Sequence, residues 1–195
     1  GGNKIVNKIK SLFVTKFIYN SEFTKKVVEK SVLKSKGIVV HPPIDTEKFK
    51  PLKKEKLILS VARFGSKMTS KRQDMLIEAF RLFSVKVSGF KLILVGGLVG
   101  DSDIIEALKQ QASGLDVEII PNPNFDKLKN LYSSSMFFWH AAGYGINENK
   151  DPEKVEHFGM TTVEAMASGC IPIVINKGGQ KEIIADGVDG FLWEN

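Results

Sequence analysis

Two glutamates, Glu156 and Glu164, stand eight positions apart across a predicted junction between a loop and a helix. Gly159 lies between them and can bring the backbone close to a ligand, because it has no side chain. Thr161 or Thr162 can cap the helix that follows. Free amide groups at a helix start, together with the helix dipole, form a site for an anion. The spacing therefore fits a ligand with a phosphate centre and hydroxyl-rich groups on both sides, such as a nucleotide-sugar.

A purely structural role is the alternative for this segment. Val163, Met166 and Ala167 recur at helical spacing and are explained simply as core residues. Gly169 is an ordinary helix stop, and residues 171–175 are typical of a buried strand. A glutamate in a first helical turn is favoured by the dipole alone. Residue types alone leave both interpretations open.

Two cationic residues flank predicted elements of the same sheet edge. Arg63 follows a predicted strand and Lys71 precedes a predicted helix, so we expect both to project from one rim. A guanidinium fork and an ammonium point charge together suit a diphosphate. The alternative is a pair of solvated surface cations, and Lys67 and Arg72 fit a ligand role less well.

Apolar runs and amphipathic segments alternate along most of the chain. Strands are predicted at 57–62, 90–95, 117–120, 136–139, 171–175 and 191–193, with helices at 73–87, 101–112, 126–133, 161–168 and 180–185. Further upstream, the pattern predicts a strand within 11–19, a helix over 22–32 capped by Ser21, and a strand at 38–40. This alternation predicts an α/β fold, a Rossmann-like parallel sheet with helices on both faces. Ligands of such sheets bind beyond the carboxyl ends of the strands, where the residues named above lie.

Charge is distributed unevenly. Residues 1–56 carry 14 Lys against 5 acidic residues, whereas the remainder has 14 Lys and Arg against 17 acidic residues. A basic stretch suits nucleic acid or an anionic membrane. Ile5, Ile9, Leu12 and Phe13 recur at helical spacing among lysines, which fits a membrane-surface helix or, preferably, the solvated face of an element beside another domain. Few aromatic residues lie among these lysines, which counts against nucleic acid.

Composition indicates an ordinary globular chain of 195 residues, 43% of them hydrophobic. The single cysteine, Cys170, fits a reducing compartment, and no apolar run approaches the ~20 residues needed to span a bilayer. We therefore expect a cytoplasmic location, with peripheral contact to the cytoplasmic membrane face as an open alternative. His41, His140 and His157 lack metal-ligand spacing, and for His140 both ligand contact and a structural role at the rim remain open.

The segments EHFGMTTVEAMASGCIPIVI and GGQKEIIADGVDGFL resemble the donor-binding domain of retaining GT-B glycosyltransferases of family 4. The likeness runs from about Val39 to the end of the chain, through HPPIDTEKF, SVARF, KRQDMLIEAF and LILVGG. It implies the C-terminal half of a GT-B fold. On this basis we expect residues 1–36 to be a remnant of the N-terminal domain and linker, and 37–195 to be a donor-binding domain truncated at its C-terminus.

The resemblance also implies roles for single residues. Arg63 and Lys71 would hold the diphosphate of the donor and stabilise the charge that grows as the glycosidic bond breaks. Glu156 would contact hydroxyls of the transferred sugar, and Glu164 would accept both ribose hydroxyls. Backbone amides for sugar and phosphate would come from Phe158, Gly159, Met160 and Thr161. Gly97, at a strand end, would let the backbone approach the donor, although a tight turn explains it equally well.

The resemblance implies an enzyme of polysaccharide biosynthesis that transfers a hexose from a UDP- or GDP-linked donor, without a metal or further cofactor. A saccharide or lipid-linked acceptor would bind a missing N-terminal domain, so the fragment alone is expected to be inactive. Residues 141–155 depart from the short link usual in the family, and a lid or a contact to the missing domain are both open. The alternatives are a basic nucleic-acid-binding module and a GT-B nucleotide-sugar epimerase.

Overall fold

The computed structural model describes residues 9–32, 37–65, 71–100 and 102–194. Its strands are β1 (Phe17–Tyr19), β2 (Gly37–Val39), β3 (Glu55–Val61), β4 (Phe64–Gly65), β5 (Lys91–Gly96), β6 (Leu98–Val99), β7 (Val117–Pro121), β8 (Ser135–His140), β9 (Ile171–Ile175) and β10 (Phe191–Trp193). Its helices are α1 (Glu22–Glu29), α2 (Gln73–Lys86), α3 (Asp103–Gln111), α4 (Phe125–Ser134), α5 (Met160–Ala167) and α6 (Gln180–Ile183), with a 3₁₀ turn at Pro152–Lys154.

Six strands form one parallel sheet in the order β10-β9-β8-β3-β5-β7. Its central strands are apolar on both faces because successive side chains of a strand point in opposite directions. In β3, Ile58 joins one core cluster and Leu59 the other, and in β5 Leu92 and Ile93 divide in the same way. A strand with two apolar faces must be covered on both sides.

Helices supply that cover. Leu76, Ile77 and Phe80 of α2 pack with Ile105 and Leu108 of α3 in one cluster. The opposite cluster contains Tyr132 of α4, Ala165 of α5 and Ile184 after α6. The predicted Rossmann-like parallel sheet, flanked by helices, is therefore confirmed, and the predicted strands and helices of this region lie within a few residues of those observed.

The strand order reverses between β3 and β8. From β3 the chain winds outward through β5 and β7, then returns to place β8, β9 and β10 on the other side. The connections that leave β3 and β8 therefore run in opposite directions and open a crevice beyond the carboxyl ends of these two strands. Crevices at such switch points are where open α/β sheets bind ligands.

A small N-terminal unit, made of β1, α1 and β2, packs beside this crevice. β1 and β2 pair in parallel as a separate two-stranded sheet, and the predicted strand within 11–19 is limited to Phe17–Tyr19, with residues 9–11 helical. Ser21 caps α1, as predicted, by accepting from the amide of Thr24. The same hydroxyl donates to the carbonyl of His157 at 2.6 Å. Glu182 of α6 accepts hydrogen bonds from the amides of Glu22 at 2.8 Å and Phe23 at 2.6 Å.

Ile5 and Lys67, and the first residue of the helix predicted over 101–112, lie outside the described residues. Ser102 precedes α3 but makes no side-chain capping bond. Among the described residues, no helix has the length and hydrophobicity that crossing a bilayer requires.

Candidate functional site

A cavity of about 560 Å³ opens at the carboxyl ends of β3 and β8, where the strand order reverses. Its lining includes the end of β3 (Val61, Ala62 and Arg63) and the end of β8 (His140). Lys71 lines it from just before α2, and residues 153–161 form one wall. The N-terminal unit adds Asn20 and Pro42. We call this the switch-point cavity. It collects the predicted residues Arg63, Lys71, Glu156 and 158–161 in one place.

Arg63 and Lys71 enter the cavity from two loops, as expected. Arg63 is exposed, and among the described residues its guanidinium has no ion-pair partner. Its backbone is fixed, because Gln73 at the start of α2 donates to the Arg63 carbonyl at 3.1 Å. Lys71 is three-quarters buried and donates to Glu156 at 2.8 Å. One cation is therefore available to an anion, whereas the other is paired.

Glu156 is the most strongly perturbed carboxylate of the cavity. Its Oε2 lies 2.8 Å from Lys71 Nζ and 3.5 Å from His140 Nε2. Burial alone would raise the pKa of Glu156, but His140 and Lys71 together lower it well below its usual range. Glu156 is therefore a fixed anion that accepts hydrogen bonds and does not act as a proton donor near neutral pH.

The start of α5 forms the anion-facing wall. The expectation that Thr161 or Thr162 caps this helix is wrong, because the cap residue is Gly159, without a side-chain capping bond. Gly159 has φ 112° and ψ 50°, a left-handed conformation that favours glycine. The first backbone bonds of the helix run from Thr162 and Val163 to the Gly159 carbonyl, so the amides of Met160 and Thr161 precede them and remain available to a ligand.

Two glycines after β9 let the wall lie close to the sheet. A Cβ at Gly178 would overlap the carbonyl oxygen of Glu156, and one at Gly179 would overlap that of His157. The amide of Gly179 donates to the Glu156 carbonyl at 2.8 Å. Phe158 is buried and stacks on the ring of His41, with ring centroids 5.2 Å apart. The backbone of this wall is thus fixed by packing before any ligand binds.

Glu164 lies one turn further along α5 and does not line the switch-point cavity. Its Oε2 accepts a hydrogen bond of 2.8 Å from the hydroxyl of Tyr132, a fully buried residue of α4. Burial raises the pKa of Glu164, and the bond from Tyr132 opposes that rise. One carboxylate oxygen is therefore fixed by the protein, which leaves the other for a second partner.

Gly97 is exposed at the end of β5 and also lies outside the cavity lining. Its carbonyl accepts from the amide of Phe64 at 2.8 Å. The neighbouring Gly96 has a clear structural role, because a Cβ there would overlap the backbone of Ala62. Asn122, with φ 50°, donates its amide to the Gly96 carbonyl and accepts from the Leu98 amide at 2.9 Å. Gly97 therefore belongs to a built turn beside the site.

The long loop 141–155 is tied down at several points. Lys177 donates to the carbonyls of Gly143 and Ile146, at 3.2 and 2.9 Å. Glu148 accepts from the Gly178 amide at 2.8 Å and pairs with Lys181 at 2.6 Å. A second cavity, of about 650 Å³, lies between this loop and α1 and shares Glu153 with the switch-point cavity. We call it the α1 cavity.

Arg72, a weak ligand candidate from sequence, has a structural task. Its guanidinium binds Asp74, donates to the Tyr144 carbonyl at 2.9 Å and covers the Tyr144 ring at 5.0 Å. The residue itself has φ 53°, an uncommon conformation for a side chain of this size. These contacts join the start of α2, and hence Lys71, to the loop.

Three site residues had no clear sequence signal. Tyr132 appears as one more apolar position of a helix, and Gln180 as a polar residue after two glycines. The sequence marks His140 as the end of a strand, but its burial and its contact with Glu156 depend on tertiary packing. Among the described residues, no group of three or more His, Cys, Asp or Glu side chains could hold a metal ion.

The chain is similar to known proteins in sequence and in fold. Residues 42–195 match the family model described as glycosyl transferases group 1. Two enzymes called GDP-Man:Man(3)GlcNAc(2)-PP-Dol alpha-1,2-mannosyltransferase are similar: that of Dictyostelium discoideum is 32% identical over 172 residues, covering 79% of this chain, and that of Homo sapiens is 31% identical over 179 residues, covering 80%. The chain spans about a third of the length of these relatives, 32% and 34%.

Solved structures share the fold. Anabaena HepE, crystallised with UDP and glucose, superposes with a TM-score of 0.77 at 19% identity, over 98% of this chain and 52% of that one. The C-terminal domain of a group 1 glycosyl transferase from Francisella tularensis, LpcC, gives a TM-score of 0.60 at 24% identity, over 78% of this chain and 80% of that one. The sheet therefore matches the Rossmann-like domains of GT-B glycosyltransferases. On the family match and these relatives, the chain belongs to the glycosyl transferases group 1 family.

Proposed function

We propose that this chain is the donor-binding domain of a retaining glycosyltransferase of family 4, and that the switch-point cavity holds the diphosphate of a nucleotide-sugar. One observation carries the proposal: an exposed arginine, a lysine and the open amides of a helix start converge on one cavity. Such a set supplies positive charge and hydrogen-bond donors to a diphosphate. The domain boundary at residues 36 and 37, and binding of the acceptor by a further domain, remain parts of this proposal.

The relatives suggest which donor and acceptor to test. Their names specify GDP-mannose and an acceptor carried on diphospho-dolichol. We propose GDP-mannose as the donor and a lipid-linked saccharide as the acceptor, with the reaction at the cytoplasmic membrane face. Arg63 and Lys71 would stabilise the charge on the diphosphate as its bond to the anomeric carbon breaks. The acceptor oxygen would bond to that carbon from the same face and pass its proton to the departing phosphate oxygen, so the configuration would be retained.

Within this proposal Glu156 binds hydroxyls of the sugar and Glu164 binds the ribose. Both carboxylates already have one oxygen engaged by the protein, Glu156 by Lys71 and Glu164 by Tyr132. The other oxygen of each carboxylate has two lone pairs and can accept hydrogen bonds from two neighbouring hydroxyls. Glu164 lies outside the cavity lining but on the helix that begins there, so a nucleotide would extend from the cavity along α5.

Titration calorimetry with GDP, UDP and ADP tests the proposal. We expect wild-type chain to bind GDP more tightly than ADP. Arg63→Ala should weaken GDP binding by about ten- to a hundredfold, because a charged hydrogen bond to phosphate is lost. Lys86→Ala, an exposed cation at the far end of α2, is the control and should bind as wild type does. Equal affinities of Arg63→Ala and Lys86→Ala would contradict the site.

A further inference from the structure

Behind Glu156 lies a buried polar pair that the proposed donor site does not use. His140 is 2% exposed and Gln180 is fully buried. The amide Nε2 of Gln180 lies 3.3 Å from His140 Nδ1, and His140 Nε2 lies 3.5 Å from Glu156 Oε2. These three side chains form a row from the core to the cavity wall. Burial of two polar side chains is costly unless their hydrogen bonds are satisfied.

The row has a direction. An amide nitrogen only donates, so in this arrangement His140 Nδ1 accepts and the ring proton resides on Nε2, which faces Glu156. If the amide were turned to present Oε1, Nδ1 would need a proton, and only the doubly protonated ring could then still donate to Glu156. In the arrangement observed, Nε2 therefore carries the ring proton and lies 3.5 Å from Glu156 Oε2, to which it can donate.

Packing leaves this ring little freedom. Phe138 stacks on His140 with ring centroids 6.4 Å apart and an interplanar angle of 22°. Gln180 is pressed against the backbone of Gly159, where an added Cβ would lie 3.0 Å from Gln180 Oε1. Gln180 Oε1 itself has no hydrogen-bond partner among the described residues. The same amide therefore contacts both the helix cap and the histidine.

Glu156 is thus held from two sides by unlike donors. The Lys71 side chain is flexible, so a diphosphate can draw its ammonium group away from Glu156. The His140 ring, in contrast, is held in place on the sheet. When Lys71 turns toward an anion, His140 remains to orient the carboxylate.

We propose that His140, held by Gln180, is a positioning residue that orients the Glu156 carboxylate toward the sugar of the donor. The inference rests on the proposed function. His140 does not touch the sugar, and its effect passes through Glu156. The proposal predicts that replacing His140 or Gln180 weakens binding of the sugar and changes binding of the nucleotide little.

The test compares the dissociation constants of GDP and GDP-mannose for each variant by calorimetry. The contribution of the sugar is the ratio of the dissociation constant of GDP to that of GDP-mannose. We expect His140→Leu and Gln180→Met to reduce this ratio by roughly three- to tenfold, while the dissociation constant of GDP changes by less than about twofold. His140→Gln keeps a donor near the position of Nε2 and should restore most of the difference. Gln110→Met, at an exposed position of α3, is the control for Gln180→Met.

Nitrogen NMR of the imidazole in the unliganded wild-type chain gives an independent readout. We expect the ring proton to reside on Nε2 and the Nε2 resonance to move in Glu156→Gln. An unprotonated Nε2, or equal sugar contributions in wild type, His140→Leu and His140→Gln, would overturn the inference. Failure of the wild-type chain to bind GDP would contradict the proposed function instead, and the NMR result would still decide the role of His140.

Discussion

Lys71 Nζ lies 2.8 Å from Glu156 Oε2, so two side chains expected to contact different parts of a donor contact each other. Both are about three-quarters buried, with 24% and 21% of their side-chain surfaces exposed. Loss of either partner would leave the other charge buried without its counter-charge, so each side chain holds the other in place in the unliganded cavity. A diphosphate that enters must share Lys71 with Glu156 or replace that carboxylate.

Replacing Lys71 tests its role in anion binding. We expect Lys71→Ala to weaken GDP binding by about ten- to a hundredfold, because a charged hydrogen bond to phosphate is lost. Guanosine, which lacks phosphate, should bind Lys71→Ala and wild type equally. The measurement is calorimetry with both ligands, and Lys86→Ala serves as the control on the same helix. A parallel loss for guanosine would show that the substitution damages the fold and not the phosphate contact.

Glu164 should bind the ribose hydroxyls of the nucleotide. We expect wild type to prefer GDP over 2′,3′-dideoxy-GDP by about ten- to a hundredfold, and Glu164→Ala to bind both alike. Tyr132→Phe removes the bond that fixes one Glu164 oxygen and should reduce this preference partly. Competition binding with the two nucleotides measures it. An unchanged preference in Glu164→Ala would remove Glu164 from the site.

Glu156 should make stability depend on acid. Its pKa is lower in the folded chain than the ordinary value of 4.5, so the folded state binds fewer protons than the unfolded state. The stabilisation is therefore complete above about pH 5 and is lost as the pH falls below 4.5 toward the folded pKa. Urea unfolding at several pH values should show the difference between wild type and Glu156→Gln shrinking under acid. A difference constant down to pH 3 would contradict this.

A comparison of Gly178 with Gly114 separates the cost of backbone strain from the cost of steric overlap. Gly178 and Gly114 both have positive φ, 61° and 77°, but only at Gly178 would a Cβ overlap the backbone of Glu156. We expect Gly114→Ala to cost about 1 kcal/mol from backbone strain alone. Gly178→Ala should cost more, about 2–4 kcal/mol, and should also weaken GDP binding. Equal unfolding free energies would show that the wall yields without cost.

Much of the sheet could be predicted from sequence because buried parallel strands such as Leu92–Val95 are continuous apolar runs between amphipathic helices. The cap of α5 could not be predicted in this way, because threonine is a favoured cap residue and two threonines lie at the predicted start of the helix. What decides the cap is the left-handed backbone of Gly159, packed on Gln180 from a distant segment.

The candidate site divides in the same way. Arg63, Lys71 and Glu156 could be placed on one rim because the carboxyl ends of parallel strands meet there. The direct contact between Lys71 and Glu156, and the support from His140 and Tyr132, join residues 16 to 85 positions apart. Periodicity and composition carry no information on such pairs, since they depend on which side chains the completed fold places together.

Binding of a nucleoside diphosphate in the switch-point cavity is the central claim, and a structure of the chain with GDP tests it most directly. The account predicts the diphosphate between Arg63, Lys71 and the amides of Met160 and Thr161, with the ribose toward Glu164. GDP bound in the α1 cavity, among Lys26, Lys150 and Lys181, with the switch-point cavity unchanged, would contradict it.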